Sequence, residues 1–164
     1  MKKRFLITAI LLLFFWLVNP LSAFACLCDA STFPEEFNHA AAVFSGKFIG
    51  AEYRKGIVNE LLEIALDGKE KKDYEILVLK FEVEEFWKGN IKREVILVTD
   101  QARFADGGTS ISDCDLSFEK GERYLIYAFG DETRLQTGAC TRTARLGKAK
   151  NDLRLLGKGE KPAL

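Results

Sequence analysis

The sequence predicts a mainly β domain, five strands closed into a small barrel, with a short helix before the strands and another after them. Three observations predict it. Leu77, Leu79, Phe81 and Val83 alternate with Lys80, Glu82 and Glu84, the period-two pattern of a half-buried strand. Apolar runs of strand length recur at 43–49, 95–99 and 124–129, each bounded by turn residues, and 134–140 reads as a further strand. Clear helical spacing brackets the strands, over 33–41 and 146–156.

Residues 1–25 read as an export leader that is cleaved. Lys2, Lys3 and Arg4 precede an apolar run from Phe5 to Val18, Asn19-Pro20 breaks it, and Ala23-Phe24-Ala25 offers small residues for cleavage. The run is about 14 residues, short of the roughly 20 that a spanning helix needs. Cleavage after Ala25 makes Cys26 the first residue of the mature chain. The alternative fate of Cys26 is lipidation, the one route by which the sequence implies membrane contact. Residues 26–164 are enough for one domain with its own core. The whole chain carries 24 Lys and Arg against 24 Asp and Glu, and three of those bases sit in the leader. Residues 26–164 are therefore slightly acidic, which argues against a nucleic-acid partner, since that needs a basic footprint.

Asp29 to Thr32 reads as a turn. Thr32-Phe33-Pro34-Glu35 then opens a helix: Thr32 caps, Glu35 closes a capping box, and proline is tolerated in the first turn. Phe33, Phe37, Ala40 and Ala41 share one face, and His39 lies off it as a surface residue. In the strand 43–49, Gly46 marks a bulge or a close backbone approach. Residues 52–73 form an excursion, helical or an extended hairpin, with Ile57, Val58, Leu61, Leu62 and Ala65 at helical spacing before the charged run 67–73. The strand Leu77 to Phe86 follows, then a turn at 87–90. Val95 to Thr99 is a strand whose unbroken apolar run suits burial on both faces.

From Asp100 to Asp115 the periodicity is lost. Asp100, Asp106, Asp113 and Asp115 invite a calcium reading, but their spacing matches no loop motif. Residues 119–122 turn into the strong strand 124–129, 130–132 turn again, and 134–140 is the last strand. Leu146, Ala149, Leu153 and Leu156 then fall at i, i+3, i+7 and i+10 in a closing helix stopped at Gly157. Arg145, Lys148, Lys150 and Arg154 decorate its wet side. Five antiparallel strands without a repeat, in a chain of this size, suggest an OB-fold-like barrel.

All four cysteines, Cys26, Cys28, Cys114 and Cys140, follow the leader, and export makes two disulfides the default. Direct pairing of Cys26 with Cys28 demands a strained small ring, so each pairs with Cys114 or Cys140. Either arrangement closes loops of roughly 90–110 residues, worth about 4–5 kcal/mol each in the chain-entropy account. A zinc site made of these four is disfavoured: they lack C-x-x-C spacing, and His39 is the single histidine. Thiol–disulfide exchange needs an exposed, low-pKa thiol, and these sulfurs are committed to bridges. With one histidine and no local nucleophile–base arrangement, no catalytic residue and no cofactor is assigned, and an enzyme is not expected.

Several pieces, in this order and spacing, resemble the N-terminal domain of the tissue inhibitors of metalloproteinases, within the wider netrin-like modules. They are Cys26-Leu27-Cys28 directly after a leader, the stretch Val43 to Gly50, Phe81-Glu82-Val83 with Trp87-Lys88-Gly89, Asp113-Cys114, the stretch Gly121 to Ala128, and Thr137-Gly138-Ala139-Cys140. The match spans nearly all of 26–164, as a short, single-domain relative. Asn38 stands about where the family carries a cysteine of its third disulfide, and Leu27 replaces a small hydroxylated residue. The resemblance implies an OB-like barrel with Cys26 paired to Cys114 and Cys28 to Cys140.

It also implies a mechanism. In the family, the α-amino nitrogen and carbonyl oxygen of the first cysteine chelate the zinc of a target protease, and the next side chain enters the pocket beside it. Carried to this chain, Cys26 is the chelator and Leu27 the pocket residue. Cys28 and the segment Ser110-Ile111-Ser112-Asp113 complete the contact ridge. The expected partner is then a zinc metalloprotease outside the cytoplasm, met by a secreted or periplasmic inhibitor. The alternative is a non-inhibitory netrin-like module of the cell envelope that binds another extracytoplasmic protein.

Overall fold

The computed structural model describes residues 26, 28, 31–55, 74–111, 114–131 and 134–163. The leader, the pocket residue Leu27 and most of the 52–73 excursion lie outside them. The order of elements is α1 (Phe33–His39), β1 (Ala42–Lys55), β2 (Tyr74–Lys88), β3 (Glu94–Phe104), β4 (Thr109–Ser110), β5 (Arg123–Asp131), β6 (Arg134–Gln136), β7 (Ala144–Arg145), a 3-10 turn (Leu146–Lys148) and α2 (Lys150–Leu156).

The strands run β1-β2-β3-β6-β5, and β1 pairs again with β5, so five of them return on themselves. The predicted mainly β arrangement, with a short helix before the strands and another after them, is the observed one, although the seven-stranded sheet is not a clean barrel. It differs from a regular antiparallel barrel at one seam. There β3 and β6 meet in parallel through the single pair Leu97–Leu135. Two further two-residue strands, β4 on β3 and β7 on β5, bring the sheet to seven.

β1 makes the closure possible. Its first half pairs with β2 on one side and β5 on the other, while its second half pairs with β2 only. Register shifts at Val43/Phe44, Ser45/Gly46 and Phe48/Gly50 bend it between these tasks, as bulges do at barrel corners. The expected close approach at Gly46 is present. A Cβ there would lie 2.9 Å from the carbonyl oxygen of Glu82.

The barrel interior holds Phe44, Phe48, Leu79, Phe81, Val83, Val95, Leu97, Tyr124 and Ile126. Phe81 sits at its aromatic centre, against Phe44, Phe48, Phe118 and Tyr124 with ring centroids 5.2–6.4 Å apart. A second cluster lies outside the barrel. There Phe33, Phe37 and Ala40 from the α1 region meet Leu146, Ala149, Leu153 and Leu156 over Val43, Leu125 and Tyr127. The apolar stripes of both helices therefore pack, half-buried, against β1 and β5. A third cluster joins Ile76, Val78, Val98 and Ala102 with Ile96, so β3 is covered on both faces as its unbroken run suggested.

The expected bounds shift in several places: β1 continues to Lys55 and β2 covers Tyr74–Lys88, so residues 52–55 and 87–88 are strand rather than excursion and turn. β3 does not end at Thr99 but runs to Phe104. Ile76 pairs with Ala102 and Val78 with Val98, so β3 carries extra residues in a bulge. Thr99 stabilises that bulge, donating to the Leu77 carbonyl at 2.9 Å and accepting from the Gln101 N–H at 3.1 Å. The last strand stops at Gln136 rather than Cys140. Thr137, Thr141 and Thr143 turn their hydroxyls onto backbone groups there and replace the ladder. Finally, α1 ends at His39, and Ala40 and Ala41 are extended or bent. The capping box at its start is as expected: the Glu35 carboxylate accepts from the Thr32 N–H at 2.8 Å and from the Thr32 hydroxyl at 2.6 Å.

Candidate functional site

Cys26 is bonded to Cys114 and Cys28 to Cys140, with Cα separations of 5.5 and 5.0 Å. Of the two arrangements open on spacing alone, this is the one the resemblance implies. Each bridge spans a long stretch of chain, 88 and 112 residues. They tie one short amino-terminal segment to two loops, one between β4 and β5 and one after β6. Those loops are also joined to each other, because the Ala139 N–H donates to the Cys114 carbonyl at 2.8 Å. A turn closed by Thr141 N–H and Thr141 hydroxyl on the Gly138 carbonyl, at 3.1 and 2.9 Å, holds the second loop.

The result is a ridge at one end of the strands. Cys26 is half-buried, whereas Cys28, Cys114 and Cys140 are exposed. Ile111, three residues before Cys114, is 69% exposed, one of three large apolar side chains, with Phe129 and Leu155, that face solvent among the described residues. Ser110 is half-buried at the end of β4 and pairs with Ala102. Of the seven predicted contact residues, Cys26, Cys28, Ser110 and Ile111 are among the described residues. Leu27, Ser112 and Asp113 lie outside the described residues. The sulfur of Cys26 is consumed by its disulfide, so only its backbone nitrogen and oxygen are left as donors toward a metal.

Asp115 follows Cys114 and turns inward. Burial pushes its carboxyl up, a hydrogen bond from the Gln101 side chain opposes that, and the charge of Asp100 adds to the rise. Asp106, another of the acids that invited a calcium reading, shapes a turn: its carboxylate accepts from the Gly108 N–H at 3.0 Å. That Asp106-Gly107 turn joins β3 to β4, and Asp-Gly is the signal that marks such a hairpin in sequence.

The sequence reading missed a polar network beneath the ridge. Arg142 donates through Nε and Nη2 to the two carboxylate oxygens of Asp152, at 2.8 and 2.6 Å, and through Nη1 to the Ser31 carbonyl at 3.1 Å. The Tyr127 hydroxyl donates to the same carboxylate at 3.0 Å. The Arg142 guanidinium holds the Asp152 carboxyl below the usual range, although burial opposes it. The far end of α1 is held as well, since Lys88 Nζ donates to the carbonyls of Phe37 and Asn38 at 2.8 and 2.9 Å.

Arg145, Lys148, Lys150 and Arg154 are exposed, as expected. The first three help line an open groove of about 630 Å³ with Arg123, Leu146 and Leu153. Arg123 and Arg145 are already paired, with Glu84 and Glu119, which leaves a solvated face. Among the described residues no helix is long and apolar enough to cross a membrane.

Compared with known proteins, the chain matches no protein-family model, and no curated protein matches it.

Proposed function

We propose that the protein is an exported inhibitor of zinc metalloproteases that blocks the target's metal with the amine and carbonyl of a mature, amino-terminal Cys26. The observation that carries this reading is the double tether. Two disulfides fix Cys26 and Cys28 on either side of a single residue, onto loops that are hydrogen-bonded to each other. A catalytic zinc keeps one position for water, and an amine with its adjacent carbonyl displaces that water as a five-membered chelate. A free peptide loses affinity to the ordering such a pose demands, whereas a tethered end has met that cost on folding. Leu27 fills the apolar pocket beside the metal, worth about 1.5–3 kcal/mol. Exposed Ile111 widens the contact.

The resemblance to the tissue inhibitors supports the same reading, through the Cys-x-Cys start and the order of the remaining pieces. Its first test is the intact mass and amino-terminal sequence of the exported protein. Cys26 first and unmodified is the expected result. A lipid on Cys26, or a cleavage elsewhere, overturns the chelation mechanism.

The exposure of Ile111 favours a second reading, a docking module that binds an extracytoplasmic protein through the ridge without using the amine. It differs in one consequence: extending the amino terminus leaves binding unchanged.

A further inference from the structure

Among the described residues, one side chain besides the disulfides reaches the amino-terminal segment from the far end of the sequence. Arg142 Nη1 donates to the carbonyl of Ser31, three residues beyond Cys28, at 3.1 Å. Arg142 itself follows Cys140 by two residues, so the contact lies one short step past the Cys28–Cys140 bridge on both strands of the chain.

The guanidinium is seated from behind. Both oxygens of Asp152 receive it, and Asp152 is 6% exposed in α2. The hydroxyl of fully buried Tyr127 completes that seat. Tyr127 is fixed in turn, its N–H donating to Thr143 Oγ1 and its carbonyl accepting from Thr137 Oγ1, each at 2.9 Å. A fork held by two parallel bonds has little freedom left, so the N–H groups of Nη1 point in fixed directions. Stability alone explains this arrangement poorly, because an ion pair whose carboxylate is buried is often no better than an apolar replacement. What the pair adds is direction. A disulfide sets the distance between two chain segments but leaves rotation about its own bonds. A backbone hydrogen bond just beyond Cys28 supplies a second restraint.

We infer that Arg142, seated on Asp152, is a positioning residue for the Cys26–Cys28 segment, so that α2 determines how the ridge is presented. The consequence for inhibition rests on the function proposed above; the ordering of the segment does not.

Two variants test it. Arg142→Met removes the guanidinium and keeps an unbranched stem. Arg142→Met combined with Asp152→Asn also removes the stranded carboxylate charge, while the amide oxygen still serves Tyr127. The direct readout is hydrogen exchange at the amides of Thr32 and Glu36, which are bonded to the Glu35 carboxylate and the Thr32 carbonyl. Both amides are expected to exchange about ten-fold faster or more, the loss of one charge-assisted bond, while amides of β1 and β5 keep their protection. Arg142→Lys restores protection only in part, because an ammonium cannot make the two-pronged seat and the third bond together. The second readout is the inhibition constant against a zinc metalloprotease that the wild type inhibits, expected to weaken by about ten-fold.

Unchanged exchange in a folded variant overturns the inference, and so does loss of folding in both variants, which marks a purely structural pair. Faster exchange with an unchanged inhibition constant confines Arg142 to ordering the segment and overturns its role in the site. Faster exchange in a protein that inhibits no protease sinks the inhibitor reading and leaves the positioning role standing.

Discussion

The N–H of Ala139 donates to the carbonyl of Cys114 at 2.8 Å, so the loop that receives Cys26 and the loop that receives Cys28 are one unit. Removing the second bridge should therefore loosen the ridge without scattering it. Cys28→Ser with Cys140→Ser is expected to lower stability by about 2–5 kcal/mol in urea unfolding and to keep the Cys26–Cys114 bond. Mass mapping of the disulfide checks the second half. A variant in which Cys26 loses its partner contradicts the joined-loop account.

Gly46 is a point of close backbone approach between β1 and β2. Gly46→Ala sets a methyl 2.9 Å from the Glu82 carbonyl oxygen, where backbone must move to admit it. The expected cost is about 1–3 kcal/mol in chemical denaturation, comparable with overpacking elsewhere in protein cores. Phe81→Ala, at the centre of the aromatic cluster, should cost about 3–5 kcal/mol by the same measurement.

The network of Arg142, Asp152 and Tyr127 contributes to stability at both ends of the pH range. The Asp152 carboxyl is held low in the fold, chiefly by Arg142. Its contribution is therefore present above the unfolded carboxyl pKa of about 3.9 and fades as pH falls through the lower folded value. Burial, with the Asp152 charge adding to it, pushes the Tyr127 phenol up. The fold keeps that phenol neutral, so stability is full below the unfolded pKa of about 10 and is lost as pH rises beyond it. Urea midpoints across pH should show Asp152→Asn flattening the acid limb and Tyr127→Phe the alkaline one. A wild-type profile already flat at both ends contradicts this assignment.

Leu27 should decide the target. Leu27→Gly is expected to weaken inhibition of an enzyme with an apolar pocket by about ten-fold to one-hundred-fold, the value of burying one leucine side chain. Inhibition should also weaken as pH falls below about 7.7–8, the ordinary α-amino range, because a protonated amine cannot bind zinc. An inhibition constant indifferent to both changes contradicts chelation through Cys26.

The features legible in the sequence were those with a local cause. The Thr32–Glu35 box, the glycine at position 46 and the stripe Leu146, Ala149, Leu153, Leu156 each follow from backbone chemistry or period, and each stands in the structure. The extension of β3 to Phe104 was hidden because the bulge around Thr99 resets the alternation that marks a strand. The parallel Leu97–Leu135 seam leaves no trace in either segment, since it follows from closure of the whole sheet. Arg142 and Asp152 were unreadable for a different reason. On a helix or loop taken alone they are ordinary surface charges, and only the packing of α2 over β5 buries Asp152 and brings Arg142 beside Ser31. The ridge lay between these cases: the cysteines announced it, while the choice between the two crossed pairings came only through the resemblance.

The most direct measurement compares two forms of the protein against a panel of zinc metalloproteases: one beginning at Cys26 and one carrying a single extra alanine before it. The account predicts that the first inhibits at least one enzyme and that the added residue abolishes the inhibition, because it turns the chelating amine into an amide. Equal inhibition by both forms would contradict it.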